Sequence, residues 1–276
     1  MMTHVSAVTD LALARRLEGA EGAANAAFVE SRAALHPEVG ATWQDINGTA
    51  VMFDGIGSPL TQAFGLGLLA APTDDDLAAM ESFFHTRGAD VFHEVAPLAD
   101  PAVLTVLPAR GYVPVEFTTV LCRSLVRDAL PLRARPTEMT TRLVRHDELD
   151  AWAATSAQGW GETPELADFM RQFGTIAGRS RGVSCFVAEL DGRIVGTGAL
   201  AMHQDVALFA GASTVPAYRG RGAQSALLAA RLAFAKDHGC DLAMMSAAPG
   251  STSQTNAERQ GFRIAYTRLK WHLARR

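Results

Sequence analysis

The run Ala210-Gly-Ala-Ser-Thr-Val-Pro-Ala-Tyr-Arg-Gly-Arg-Gly-Ala-Gln-Ser-Ala-Leu-Leu228 carries the end of an apolar strand into the start of a long helix. The strand stops near Val215, because Pro216 has no N–H to give to a ladder. Arg219-Gly-Arg-Gly222 then leads into the helix. A helix N-terminus leaves its first amides unpaired and carries partial positive charge, so a pyrophosphate placed there accepts several backbone N–H bonds. Gly220 and Gly222 lack Cβ, which lets the backbone approach a ligand and take unusual φ values. Arg219 and Arg221 add formal positive charge where phosphates would lie. These four residues alone do not separate anion binding from an ordinary strand–turn–helix with solvated arginines, since short motifs recur by chance. Their surroundings do.

Upstream, Cys185–Leu190 and Arg193–Met202 are β-rich runs joined by Asp191-Gly192, a pair that tolerates positive φ and signals a hairpin. Val206–Val215 is the next strand. Further back, Thr141–Arg145 reads as a short strand, and His146–Ala157 and Pro164–Ala177 have helical apolar spacing. Downstream, a helix over Ala223–His238 is closed by Lys236 and His238 in its last turn and Gly239 after it. The strand Leu242–Ala247, a short helix around Ser253–Gln260 and a final strand over Ile264–Leu273 complete the half. Helices mixed with an antiparallel hairpin predict an α/β sheet of mixed pairing.

The first half ends the same way. Phe84-His-Thr-Arg-Gly88-Ala-Asp90 leads to Gly111-Tyr112 and the strand-like Val115–Leu121, as Lys236-Asp-His-Gly239-Cys-Asp241 leads to Gly261-Phe262 and the last strand. Gly88 to Gly111 is 23 positions and Gly239 to Gly261 is 22, so the order and spacing indicate duplication. A polar stretch around Arg133-Ala-Arg-Pro-Thr-Glu-Met139 separates the halves. Within the first, Leu11–Leu35 is helical, Asn47-Gly48 is a hairpin turn between Trp43–Ile46 and Thr49–Phe53, and Thr73 can cap a helix over Asp74–Arg87.

Val-Pro-x-Tyr-Arg-Gly-x-Gly after a strand, followed by helix, strand and Gly-Phe, resembles the acetyl-CoA-binding core of the GNAT N-acetyltransferases over most of residues 140–276. Arg219, Gly222 and Gln224 fall on the family's Gln/Arg-x-x-Gly-x-Gly/Ala. The resemblance implies an α/β chain of two tandem GNAT-like domains, each a mixed, mostly antiparallel sheet flanked by helices. A degenerate one would span 1–136 and an acetyl-CoA-binding one 137–276. It puts Arg219, Gly220, Arg221, Gly222, Ala223, Gln224 and Ser225 on the pyrophosphate of acetyl-CoA, the acyl donor, and pairs Ser213, Thr214 and Val215 with the pantetheine arm. Asn256 lies on the short helix that faces the cofactor in such proteins and is the remaining cofactor contact.

Two departures stand out. Gln224 occupies a position usually held by Gly or Ala, and Ala257 lies where many members carry the Tyr thought to protonate the leaving thiolate. An earlier-strand carboxylate common in the family has no clear match. No catalytic residue is therefore assigned. Tyr218, Tyr266, Ser253, Glu189, His203 and Asp205 are candidates for which an ordinary structural role is the stronger reading. Trp160, Phe169, Met170 and Phe173 lie in the segment that walls the acceptor site in the family and hint at an apolar acceptor, although such residues at helical spacing are usually core.

The implied activity is transfer of an acetyl group to an amine of a small molecule or peptide. A noncatalytic acyl-CoA-binding regulator is the alternative, and aminoacyl transfer a third reading. In the first half, Ala70-Ala-Pro-Thr-Asp-Asp-Asp76 replaces the phosphate turn, and three aspartates would repel a pyrophosphate. That half is expected not to bind the cofactor; a part in shaping the acceptor site is implied only by the resemblance to other tandem GNAT proteins.

The remaining signals exclude rather than add. A chain of 276 residues, 48% apolar, buries enough core for two domains. A net charge of −4 argues against broad nucleic-acid binding. Cys122, Cys185 and Cys240 form no CxxC pair and read as small core residues. His93-Glu94 has Pro97 where a zinc motif needs its second His, and no metal is expected. Gly65-Leu-Gly67-Leu-Leu-Ala70 matches a dinucleotide pattern, but the helix begins several residues too late for it. With no membrane-length apolar run and no leader-like apolar region in Met1 to Arg16, a cytoplasmic location is expected.

Overall fold

The structure, a computed structural model, describes residues 9–126, 138–160 and 164–275. The boundary at Arg133–Pro136 lies outside the described residues.

The first half runs α1 (Leu11–Leu35), β1 (Thr42–Ile46), β2 (Thr49–Phe53), β3 (Gln62–Phe64), α2 (Asp74–His85), β4 (Val91–Val95), α3 (Val103–Ala109) and β5 (Val113–Ser124). The second runs β6 (Thr140–Leu143), α4 (Leu149–Gln158), α5 (Pro164–Arg179), β7 (Val183–Leu190), β8 (Arg193–His203), β9 (Val206–Thr214), α6 (Ala223–Asp237), β10 (Leu242–Ala247), α7 (Thr252–Arg259) and β11 (Arg263–Leu273). Asp10 starts α1 by accepting from Leu13 N. The two expected hairpin turns form with both residues at positive φ, 51° and 77° at Asn47-Gly48 and 51° and 72° at Asp191-Gly192.

The duplication is visible in hydrogen bonds. Helices α2, α3, α6 and α7 all end in the same closure, in which the amides of Ala89, Tyr112, Cys240 and Phe262 each reach back five residues, to the carbonyls of Phe84, Leu107, Ala235 and Ala257. The glycine before each of these, at 88, 111, 239 and 261, has a left-handed φ and donates three residues back.

Among the described residues all strands join one 11-stranded sheet in the order β1-β2-β3-β4-β11-β5-β10-β9-β8-β7-β6. Two pairings are parallel, β3 with β4 and β9 with β10, each bridged by a crossover helix, and the rest are antiparallel. The halves exchange their last strands. β5 pairs with β10 of the second half, and β11 pairs with β4 of the first, while β5 and β11 pair with each other at the centre. Two sheets are thus fused edge to edge, which leaves no open edge between them.

Side chains alternate across this sheet. Leu121, Ala243 and Phe209 pack with α6 and Phe262 on one face; Val120, Cys122, Leu208, Met244 and Tyr266 pack under α1 on the other. Helices α2 and α3 share the α6 face, while α4 joins α1 on the opposite face. The three cysteines are buried and unpaired. Burial pushes the Cys185 thiol up to about 12, which suits a packing role.

Candidate functional site

A gap opens in the middle of the second half. The β9–β10 pairing ends at Leu208 opposite Met244. Beyond that point β9 continues along β8 alone, and β10 along β5. The β8–β9 register slips where Thr197 faces Ser213 but Ala199 faces Ala210, so β9 spends one extra residue and bends. Gly211 takes φ 60° inside this bulge.

Arg231 of α6 holds the bulge from below. It is fully buried with no carboxylate partner among the described residues, donating from Nη1 to Ala199 O (2.9 Å) and Ala210 O (3.2 Å) and lying over the Phe209 ring. Burial holds its pKa down to about 10, so it stays charged at neutral pH. A Cβ on Gly198 would stand 2.9 Å from the Arg231 guanidinium carbon, so the strand needs glycine there.

The turn after β9 delivers bare amides beside this gap. Pro216–Tyr218 forms one 3₁₀ turn, Gly220 sits at φ 78°, and Gly222 at φ 86° is the N-cap of α6 with no side chain capping it. The counterpart helix in the first half is sealed. Thr73 and Asp76 cap α2 reciprocally (3.1 and 2.9 Å), and Asn47 also donates to Asp76. The gap is closed there as well, because Asp100 N donates to Gly67 O (2.8 Å) across it and a Cβ on Gly67 would touch Val103.

Under α1, charges converge on the end of β10. The buried Arg268 of β11 meets Glu18 (3.1 Å) and Glu21 (2.8 Å) of α1 and Glu94 of β4 (3.4 Å). Lys270 bridges Glu94 (3.4 Å) and Glu116 (3.1 Å). Tyr266 donates to Glu18 (2.8 Å), and Ser246 donates to Glu21 (3.2 Å). Burial raises the Glu18 pKa from 4.5 to about 7, despite the opposing pull of Arg268. Burial also lowers that of His93, next to Glu94 in sequence, from 6.5 to about 4.

These two groups set opposite pH slopes. A carboxyl whose folded pKa is raised loses stabilisation as pH climbs from 4.5 to about 7; a histidine whose folded pKa is depressed loses it as pH falls from 6.5 to about 4. Glu18→Gln removes the first slope. Its unfolding free energy, relative to wild type, is expected to gain on the order of 3 kcal/mol between pH 4.5 and 7. Denaturant melts of both proteins at pH 5 and 7.5 check this, and a difference independent of pH would refute it.

The sequence profile of the acetyltransferase (GNAT) family matches residues 145–262. Those residues form a GNAT domain. A GCN5-related N-acetyltransferase from Kribbella flavida is similar over 89% of this chain and 95% of its own, with 18% identity and a TM-score of 0.61. A tandem GNAT protein from the clavulanic acid biosynthesis pathway is similar over 82% of this chain and 78% of its own, at 16% identity and a TM-score of 0.60. A third relative in structure, a GCN5-related N-acetyltransferase from Sphaerobacter thermophilus, covers 77% and 71% at 17% identity and a TM-score of 0.56. No curated protein matches in sequence. The chain has the tandem GNAT fold, and the GNAT fold is one that transfers acyl groups from acyl-CoA donors.

The structure places Ser213 through Ser225 on one continuous strand–turn–helix at the gap of this GNAT domain. Within it the positions differ. The N–H of Val215 already donates to Val195 O (3.0 Å), so its amide belongs to the sheet. The hydroxyl of the buried Ser213 donates to Ser156 O of α4 (2.7 Å). Arg219 reaches Gly159 O (2.8 Å) rather than the turn, and Arg221 lies over the Tyr218 ring. Ala223 is buried beneath the helix start, and Ser225 follows in its first turn. Asn256 stands apart on α7, half-buried, its side chain without a hydrogen bond among the described residues.

Gln224 does more than lend an amide. Its Nε2 donates to Ser213 O (2.6 Å) and Thr214 Oγ1 (3.0 Å), pinning the start of α6 to the strand end.

Other candidates have structural roles. Tyr266 is tied to Glu18, Glu189 to Arg142 (2.8 Å), and Asp205 to Arg16 (3.0 Å); His203 and Ser253 are exposed. Ala257 is fully buried. Phe173 packs on Phe28 of α1, while Trp160 and Phe169 are exposed at the surface near them. Among the described residues no helix is long and apolar enough to cross a membrane.

Proposed function

We propose that residues 137–276 bind acetyl-CoA as acyl donor and transfer its acetyl group to an amine of a small molecule or peptide. Residues 1–136 form a GNAT-like half that has given up the donor site. The observation that carries this reading is the contrast between two equivalent helices. In α6 the first amides are uncapped beside an open gap; in α2 a capping box and three aspartates fill the same place.

The fit to the donor follows from the residues present. Gly220, Gly222 and the amides of Ala223, Gln224 and Ser225 offer N–H donors to a pyrophosphate, with Arg219 and Arg221 within side-chain reach. Ser213, Thr214 and Val215 form the strand edge beside the gap, and Asn256 has an amide free to meet the ligand. When bound, the donor supplies an activated thioester. This chain's contribution is to hold that thioester and the amine together, and positioning alone supplies about 7–11 kcal/mol in favourable cases.

A noncatalytic acyl-CoA-binding role is the second reading, favoured by Ala257. That side chain is buried at the position where a phenol would serve as acid, so none can act from there. The two readings separate in one assay. Calorimetry with acetyl-CoA is expected to show micromolar binding, and a free-thiol assay with pooled amines is expected to show CoA release. Binding without release supports the regulator; neither result overturns both.

A further inference from the structure

Resting on the donor reading above, we propose that Glu21 of α1, with Ser246, is the acceptor-recognition acid of this site, receiving the ammonium group of a cationic amine carried on an apolar or aromatic body. The N-terminal half then completes the acceptor site of the C-terminal half.

Position is the first argument. Ser246 lies two residues beyond the last β9–β10 pair and alternates with Leu242 and Met244, which pack on the α1 face. Its hydroxyl donates to Glu21 at 3.2 Å. Across the gap, Ala210, Gly211 and Ala212 of the bulge are exposed. Glu21 therefore stands at the rim of the gap, on the face opposite α6. A donor anchored at the start of α6 reaches the gap from one side, so the acceptor has the other. Among the described residues, no carboxylate of the second half is hydrogen-bonded at the end of β10; the acid there comes from α1.

Charge is the second. Glu18, Glu21 and Glu94 surround Arg268, and the one further cation there among the described residues, Lys270, is shared with Glu116. Even with Glu18 protonated, Glu21, Glu94 and Glu116 outnumber Arg268 and Lys270, in a setting where charge is poorly screened. A cation entering beside Glu21 relieves that excess, and an anion would add to it.

The third is the shape of the ligand's body. Asn25, one turn beyond Glu21 on the same helix face, is half-buried and has no hydrogen-bond partner among the described residues. Phe28 lies seven residues beyond Glu21, about 10.5 Å along the axis. Buried itself, it packs at a tilt on the half-buried Phe173 of α5 (4.4 Å), which lies 5.9 Å from the exposed Phe169. Acid, amide and aromatic rings thus follow one another from α1 to the exposed Phe169 of α5.

The test begins with acetyl-CoA calorimetry, so that failure of the donor reading is seen by itself. Thiol release is then measured with two pools: cationic amines (polyamines, amino sugars, lysine peptides) and amines bearing carboxylates (free amino acids, acidic peptides). Release is expected with the cationic pool. For the best acceptor found, Glu21→Gln is expected to raise KM by about tenfold or more and to narrow the preference over a neutral isostere, while the acetyl-CoA Kd stays within twofold. Ser246→Ala, which leaves the Glu21–Arg268 pair in place, is expected to raise KM in the same direction without changing thermal stability. Release with the carboxylate pool alone, release with neither pool from protein that binds acetyl-CoA, or a KM within twofold of wild type in both variants overturns the proposal.

Discussion

Arg268→Ala is expected to destabilise the protein by about 3–5 kcal/mol at pH 7, the usual result of removing one partner from a buried ion cluster. The residue is 1% exposed and is the common partner of Glu18, Glu21 and Glu94. Without it, three carboxylates from two elements, α1 and β4, would face one another, with Lys270 the remaining cation beside them among the described residues. The deficit should shrink on acidification, because protonating the carboxylates removes the repulsion. It should also shrink in Glu18→Gln/Arg268→Ala, which deletes a negative charge with the positive one. Chemical denaturation at pH 7 and pH 5 checks all three expectations; a loss below about 1 kcal/mol at pH 7 would show that the cluster is solvated and not a central tie.

The second large effect is on the donor. Gly222→Glu is expected to weaken acetyl-CoA binding by about 100-fold or more, equivalent to about 2.7 kcal/mol. Two causes act together. Gly222 sits at φ 86°, where a side chain costs about 1–2 kcal/mol. The new carboxylate would also lie at the helix N-terminus, taking the favourable anion position for itself and repelling a pyrophosphate. The fold should survive, since an acid at that end of a helix is otherwise favourable. Asp75→Ala, at the start of the counterpart helix α2, is the matched control and should leave donor affinity unchanged. Calorimetry of the three proteins decides this. Unchanged binding in Gly222→Glu would place the donor elsewhere.

Much of the fold was readable where a residue type answers a local demand. Asn47-Gly48 and Asp191-Gly192 declare hairpins because few other pairs accept two positive φ values. Gly222 and Gly239 bracket α6 for related reasons. The turn at Gln204 gave no such sign, because glutamine has no bias toward the φ of 51° it adopts there. The exchanged strands were hidden for a different reason. Val113–Ser124 and Arg263–Leu273 follow the same Gly-aromatic pair and look alike, and a strand's own pattern does not name its neighbour.

The site divided along the same line. Its turn and glycines follow from the chain order between Ala210 and Leu228, as do the identities of Arg219 and Arg221. What the side chains do there was not legible: Gln224 was read for its amide and proves to clamp the strand end as well. Glu18 and Glu21 look like solvated helix charges, and Arg268 and Lys270 like the polar face of a strand. Only the pairing of β11 with β4, and α1 laid over both, turns them into one cluster.

The exchange of last strands also bears on how the chain is made. β11 follows every other strand of the sheet in the chain, yet it lies between β4 and β5, both completed 149 residues earlier or more. At about 5–20 residues per second, the first half waits roughly 7–30 s on the ribosome with its central edge unfilled. Residues 113–122 of β5 and Val91–Val95 of β4 border a slot that no earlier segment is meant to occupy. Premature closure of β4 on β5 would lock β11 out. A nascent chain stalled before residue 263 should therefore be protease-sensitive and prone to associate through that edge, and should become resistant only when the last eleven-residue strand emerges.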